Sequence, residues 1–512
     1  MLIWMQFYSN LFTLVIKIFF NEILLSIMRK RPTPLEIYKL LDKSNCRACG
    51  KESCLEFAKE LIERKVSLDA CSHLDLSDQQ PNEQKIIELL RPPQRQVIFG
   101  NDGRQCVIGG EEVQYRHDLT FYHQTAIAIE IHDELSNWKQ TVEYLTNLTI
   151  SRIEEHLQIN ALAIRCVSQD ATKFVQVVHD ITAVTNLPLI LCTLDPQIME
   201  KALEKIAVKR PLLYAATEQN IVQMSQLAIK YHVPLVCQSS DLAILGKMTE
   251  SLSAMGFEDI VIDPGTYFVP GGFSYTFNQI QQIRTQLFDH DVNSFGYPIL
   301  GIPATLWTQN AEVISKVAPK DLWQWQYKEL LMGTIMEAMD TSLIILHTGR
   351  DPAEIWGLLA IMTFRQNLFT DPRVYPTVRT GLYVINQPDD WAPIYITSNY
   401  RMTKIPVEQD LVDAKLNGYL IVVDTEGIGI ESATAGGQFN EERIKKALDQ
   451  SKVLEKVKHR IVIIPGMAAR LQGPLQDLAK VEVWVGPRDS SAIPEFIQEK
   501  WKSEEIQKKY TN

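Results

Sequence analysis

The sequence predicts an α/β chain in three parts: a small cysteine-rich N-terminal segment, a central (β/α)8 barrel and a C-terminal doubly wound domain. Three observations carry this. Four of the eight cysteines fall between positions 46 and 71. From about position 120, eight short β-branched runs alternate with helical stretches. After "RQNLFTDPRVYPTV" (365–378) the alternation restarts, with five further runs separated by helices. The corresponding boundaries are 28–90, 91–365 and 366–512, preceded by an apolar extension at 1–27.

The extension, "MLIWMQFYSNLFTLVIKIFFNEILLSI", is apolar enough for a membrane span, but Lys17, Asn21 and Glu22 interrupt it and no small-residue cleavage site follows. Met28 opens "MRKRPTPLEIYKLL", a natural soluble start. A mis-called start codon and a real anchor are the two readings, and the first is preferred. The rest has ordinary composition, with 46% hydrophobic and 22% charged residues. Its net charge of −11 offers no basic field to nucleic acid. Unevenly scattered cysteines in a long chain point to a reducing cytoplasm and not to a disulfide framework.

The cysteine spacing is Cys46-x2-Cys49-x4-Cys54-x16-Cys71. Four thiolates complete the valence of a zinc ion or an iron–sulfur cube. Structural zinc sites pair two short knuckles. Here three ligands cluster, and a helix with Leu55, Phe57, Ala58, Leu61 and Ile62 at helical spacing carries the chain to the fourth. Gly50 permits the tight turn. A 4Fe-4S cluster fits this better than zinc.

The barrel strands are expected at 126–132, 161–167, 188–194, 211–217, 234–240, 259–265, 298–304 and 342–348. Eight βα units in series suggest a closed barrel, with an open doubly wound sheet as the alternative. Polar residues follow several strands: His132 and Asp133, Asp195, Gln238 and Ser239, Asp263, His347. They form no recognisable catalytic motif, so strand capping is preferred over chemistry.

The C-terminal runs are 381–385, 393–397, 419–427, 460–466 and 481–489. Their ends carry "TSNY", "DTEGIGIESATAGGQ", "IPGMAARLQG" and "VGPRDSS". Ligands of open α/β sheets sit beyond the carboxyl ends of the strands. "ATAGGQ" lacks both the P-loop Lys-Ser/Thr and a dinucleotide fingerprint. Any one loop reads as ordinary turn glycines; four on one edge point to a broad ligand site.

Together these segments resemble a known family. The cysteine spacing behind "RPTPLEIYKLL", with "YLIVVDTEGIGIESATAGGQ", "IIPGMAARLQG" and "VGPRDSSAIP", is similar to the large subunit of corrinoid iron–sulfur proteins, the gamma subunit of acetyl-CoA decarbonylase/synthase. The likeness spans about 28–501 and is most specific at its ends. It implies a 4Fe-4S cluster on Cys46, Cys49, Cys54 and Cys71, and a corrinoid (a cobalt-bearing cobamide) on a Rossmann-like C-terminal domain. It implies a methyltransferase component of the reductive acetyl-CoA pathway. The methyl group would pass from methyltetrahydrofolate or methyltetrahydrosarcinapterin to acetyl-CoA synthase. The implied partners are a smaller barrel subunit in a heterodimer, acetyl-CoA synthase and a pterin methyltransferase; the membrane is not among them.

By the same resemblance the corrinoid contacts are Thr370, Asn399, Tyr400, Arg401, Met402, Thr403, Gly427, Ala435, Gly436, Gly437, Gln438, Gly466, Ala468, Ala469 and Arg470. Arg401 departs from the family's pattern. None of the ten histidines stands in the D-x-H-x-x-G motif of other corrinoid domains, as this family implies. The competing readings are an iron–sulfur electron-transfer protein without corrinoid, and a barrel methyltransferase acting on a pterin through Asp195 and Asp263.

Overall fold

The computed structural model describes residues 32–74, 80–101, 103–115, 121–153, 155–268, 272–347, 352–370 and 375–511. The apolar stretch 1–27 lies outside them. Among the described residues no helix is long and apolar enough to cross a membrane. The chain divides into two compact units. The first ends at Phe369; the second runs from Thr370 and includes the short stretch Ser151–His156.

The first unit opens with three helices, α1 (Pro34–Leu40), α2 (Cys54–Ile62) and α3 (Gln80–Leu90). Thr33 and Glu36 cap α1 reciprocally, and the Ser53 side chain accepts from the Glu56 amide to start α2. Their core is small: Ile37, Leu41, Phe57, Ala58, Leu61, Leu74 and Ile86.

A hairpin follows, β1 (Gln96–Asn101) with β2 (Arg104–Gly109), antiparallel from Gln96–Gly109 to Asn101–Arg104. Then come eight parallel strands: β3 (Ala126–His132), β4 (Ala161–Arg165), β5 (Leu189–Cys192), β6 (Leu212–Ala216), β7 (Leu235–Gln238), β8 (Ile260–Asp263), β9 (Leu300–Gly301) and β10 (Leu343–Leu346). Each pairs with its neighbour in sequence except β8 with β9, and β10 returns to β3 through Leu343–Ala126 to Leu346–Ile129. One parallel bridge, Ile262–Ile299, joins β8 to the start of the β9 segment. The eight strands therefore form a nearly closed parallel barrel of the (β/α)8 type.

Side-chain alternation sorts the barrel residues. Ile127, Ile129, Leu162, Ile164 and Leu213 pack outward on the helices. Ala128, Ala163, Ile190, Leu212, Val236 and Val261 point inward and meet Val97, Phe99 and Ile108 of the hairpin. The Gly100 amide donates to Arg210 O at 2.8 Å, just before β6. The hairpin thus plugs the amino-terminal end of the barrel and leaves the carboxyl end for polar groups. Two further helices matter below, α4 (Trp323–Ala338) before β10 and α5 (Pro352–Leu368) after it.

The second unit holds five strands, β11 (Gly381–Ile385), β12 (Ile394–Ser398), β13 (Gly418–Val423), β14 (Ile461–Ile464) and β15 (Glu482–Val485), in the order β11-β13-β12-β14-β15. All are parallel except β11, which runs antiparallel at the edge. Two apolar clusters, one around Ile396, Ile421 and Ile464 and one around Tyr395, Leu420 and Ile463, cover the two faces. After β12 the chain adds β13 on one side and then β14 on the other. The sheet order therefore reverses between β12 and β14, where their carboxyl ends splay around a crevice.

Candidate functional site

Cys46, Cys49, Cys54 and Cys71 all line one pocket, floored by Phe57 and flanked by Asp42, Asn45 and Ser72. Cys46 sits on an exposed loop whose neighbours Lys43, Asn45 and Arg47 take positive φ of 63°, 50° and 61°. Cys54 is the first residue of α2, and its amide donates to Asn45 Oδ1 at 2.8 Å. The α2 helix then carries the chain to Cys71, as its periodicity predicts. Burial pushes the Cys71 thiol up, while the His73 and Leu74 amides pull the other way. Such donors suit a thiolate held by iron. Among the described residues no three acidic, histidine or cysteine groups stand together for a single metal ion. Four thiols on one pocket, with backbone donors beside Cys71, are a donor set for an iron–sulfur cluster. His73 Nδ1 lies 2.5 Å from Asp42 Oδ2. Against burial, the Ser44 amide and hydroxyl hold Asp42 below its usual range.

The second site is a cleft of about 260 Å³ at the reversal point of the C-terminal sheet. Its walls come from the ends of β12 and β14, from Met402, Thr403 and Pro406 on α6 (Arg401–Asp413), and from the Gly486–Ser490 loop. The Thr397 hydroxyl in the wall is buried without a hydrogen-bond partner. Arg488 and Glu431, both largely exposed, face each other at 3.9 Å.

Of the residues expected to touch a corrinoid, Met402 and Thr403 line this cleft. Gly466 frames it: a Cβ there would meet Arg488 N and Gly486 O at 2.8 Å, so only glycine lets these loops touch. The others serve differently. Ala435 and Gly436 end helix α7 (Ile430–Gly436), and Gly437 at φ 83° is its left-handed cap. Gln438 is beside them. Ala468 is fully buried in the core, whereas Ala469 and Arg470 are exposed. Tyr400 caps α6, and Arg401 approaches Glu155 at 3.6 Å. Thr370 is exposed and Gly427 lies in the loop after β13; neither lines the cleft. The sequence reading missed Thr397, Pro406, Val407, Pro465, Met467 and Ile493 as cleft residues. The polar strand ends pointed to the region, but no local pattern marks its apolar wall.

Asn399 is buried and works as a hub. Its Oδ1 accepts from the Thr425 amide and hydroxyl, both at 2.9 Å, and from the Gly427 amide at 3.1 Å; its Nδ2 donates to Asp424 at 3.1 Å. Asn399→Ala would strand buried donors and is expected to destabilise the second unit by about 2–4 kcal/mol, read by denaturant unfolding.

Among the inward positions at the barrel's carboxyl end are Glu130, Arg165, Tyr214, Asp263 and His347. They pair internally: Glu130 with Arg165, Glu130 with His347 at 3.8 Å, and Tyr214 Oη with Asp263 at 2.9 Å. Burial lifts Asp263 to about 6, opposed by the Gly265 amide and the Tyr214 hydroxyl. Asp133 accepts from the Val167 and Ser168 amides, and Asp195 caps the helix Pro196–Ile206. Capping and pairing thus account for most of the strand-end polar residues.

A family model for the CO dehydrogenase/acetyl-CoA synthase delta subunit matches residues 96–497, and one for an Fe-S cluster matches residues 41–73. The chain is 35% identical to the acetyl-CoA decarbonylase/synthase complex subunit gamma of Methanothermobacter thermautotrophicus, over 91% of this chain and 98% of that one. The chain belongs to this family of complex subunits. The gamma subunit of Methanocaldococcus jannaschii is 33% identical over 93% of this chain and 97% of its own. The delta-subunit model begins after the cysteine segment, whereas the gamma-subunit relatives match nearly the whole chain. Among solved structures, the dihydropteroate synthase of Xanthomonas albilineans is 13% identical with a TM-score of 0.34, over 47% of this chain and 93% of that one. That of Vibrio fischeri is 12% identical with a TM-score of 0.37, over 54% and 100%.

Proposed function

We propose that this chain is a corrinoid iron–sulfur methyl carrier, serving methyl transfer between a methyl-tetrahydropterin and acetyl-CoA synthase. The observation that carries the reading is the presence, in one chain, of a four-cysteine pocket and a crevice at the reversal point of a Rossmann-like sheet. In this reading residues 28–90 form the cluster domain, 91–365 the barrel and 366–512 the corrinoid domain. A smaller corrinoid-protein subunit is its heterodimeric partner.

Cys46, Cys49, Cys54 and Cys71 would hold a 4Fe-4S cluster. The cleft is too small for a whole corrin ring. It would take an arm of the molecule, against the wall that Gly486 lines and Gly466 frames. When bound, the corrinoid supplies a nucleophilic cobalt, and the cluster a one-electron donor that restores its reduced state. The chain's own work is to hold, orient and shield. Thr403 and Thr397 offer hydroxyls, Met402 and Met467 apolar contact, and Arg488 a charge for an anionic group.

Anaerobically purified protein is expected to hold about four irons and one cobalt per chain. Iron without cobalt would favour the electron-transfer reading. Thr403→Trp should fill the cleft and lower cobalt content at least tenfold with iron unchanged; full cobalt loading of that variant would move the corrinoid elsewhere.

A further inference from the structure

The inner wall of the barrel changes character at its carboxyl end. Ala128, Ala163, Ile190 and Ile345 belong to the inward layers of small and apolar side chains. The next inward positions on β3, on β4 and past β10 are Glu130, Arg165 and His347. Their side chains are 8%, 35% and 25% exposed. Charged groups on an inner wall lose hydration that packing alone does not return. Glu130 faces Arg165 Nε, and its second oxygen lies 3.8 Å from His347 Nδ1. The end of the guanidinium is left over: neither terminal nitrogen of Arg165 makes a hydrogen bond among the described residues. His347 in turn stacks on Trp307, with ring centres 4.9 Å apart and planes at 29°. Both residues are held by one buried carboxylate, Glu329 on α4, which accepts from Trp307 Nε1 and from the His347 amide, each at 2.6 Å. Trp307 itself is only half-buried. Glu130 and His347 thus join an open cationic fork to a fixed ring stack.

We infer that the carboxyl mouth of the barrel binds a small planar carboxylic acid, its carboxylate on the Arg165 fork and its ring against Trp307 and His347. A guanidinium fork matches the two oxygens of a carboxylate. Glu130 already takes part of the Arg165 charge, which suits a monoanion and sets a carboxylate above a phosphate dianion. The ring stack offers a planar face, and groups held in place beforehand lower the cost of binding. The carboxyl end of the strands is also where (β/α)8 barrels bind their ligands. This site shares no residue with the cysteine pocket or the C-terminal cleft.

The test is equilibrium dialysis of the full chain, purified without oxygen, against labelled benzoate. Wild type should bind benzoate with a Kd of about 1 mM or below. Benzamide, which has the shape without the charge, and acetate, which has the charge without the ring, should each compete at least tenfold less well. Inorganic phosphate should do no better than acetate. Arg165→Lys keeps the charge and loses the fork, and should weaken benzoate about tenfold. Arg165→Gln alone would strand Glu130, so the paired change Glu130→Gln with Arg165→Gln removes both charges together. That double variant should lose benzoate binding while its iron content and circular dichroism stay as in wild type. If the double variant does not fold, Arg165→Lys decides. No binding by wild type at about 10 mM benzoate, or binding unchanged in these variants, would overturn the site. Benzamide or phosphate competing as well as benzoate would overturn the carboxylate assignment.

Discussion

Cys54→Ala is expected to leave the protein without its iron–sulfur centre and to loosen the segment around it. Three thiolates cannot complete the ligand set of a four-iron cube, so the iron absorbance should fall to near zero. The structural consequence follows from the size of the local core. Among the described residues seven buried apolar side chains hold α1, α2 and α3 together, a small core for a unit of that length. Ligation of metal by four cysteines is then part of the folding free energy. Limited proteolysis of the variant should cut within residues 41–73 while the barrel resists. In the proposed methyl-carrier role, reactivation of oxidised protein by a low-potential donor should disappear, and methyl transfer by material reduced beforehand should persist. A variant that keeps four irons would remove Cys54 from the ligand set. One that loses reactivation and transfer together would give the cluster a role beyond electron supply.

The barrel was legible because a buried parallel strand has a local signature. Runs such as "PLILCTL" and "PLVCQSS" are apolar on both faces, open with proline and precede a helical period. All eight lie where expected, and the spacing of Cys54 and Cys71 likewise anticipated α2. The plugging hairpin was missed. Its signal, two short runs around Asn-Asp-Gly at 101–103, stands in the sequence ahead of the first expected barrel strand. The cleft was only half legible. Glycine-rich loops announced a sheet edge with room for a ligand, yet the glycines at 436 and 437 serve a helix end. The cleft wall joins Thr397, Pro406, Pro465 and Ile493. Residues so far apart in sequence meet only through strand order, which periodicity does not encode. Nor does any local pattern show that Asn399 feeds its bonds back into its own loop.

Glu337→Gln is expected to stabilise the protein in mildly alkaline solution and to change little at pH 5. Glu337 is fully buried on α4, and neither carboxyl oxygen has a hydrogen-bond partner among the described residues. Burial pushes its pKa from 4.5 to about 8, and Arg365 opposes the rise. Arg365 cannot fully neutralise it, being committed elsewhere. Its guanidinium donates to Thr125 O at 3.0 Å, Asn160 Oδ1 at 2.7 Å and Gln158 O at 3.0 Å. Between pH 4.5 and 8 the folded chain keeps a proton that the unfolded chain has released. Stability therefore falls as pH rises through that window and levels off above it. The full penalty is about 4–5 kcal/mol, of which about 3 is present at neutrality. Glutamine keeps the shape without the charge and abolishes this slope. At pH 8 the variant should melt roughly 5–10 °C above wild type, with near-coincident curves at pH 5. Glu111 and Asp263 are also raised by burial, to about 7 and 6, and add a slope of the same sign to both proteins. The difference between wild type and variant isolates Glu337. Parallel profiles across the whole range would mean that the carboxylate is charged and solvated in the folded state, contrary to its burial beneath α4.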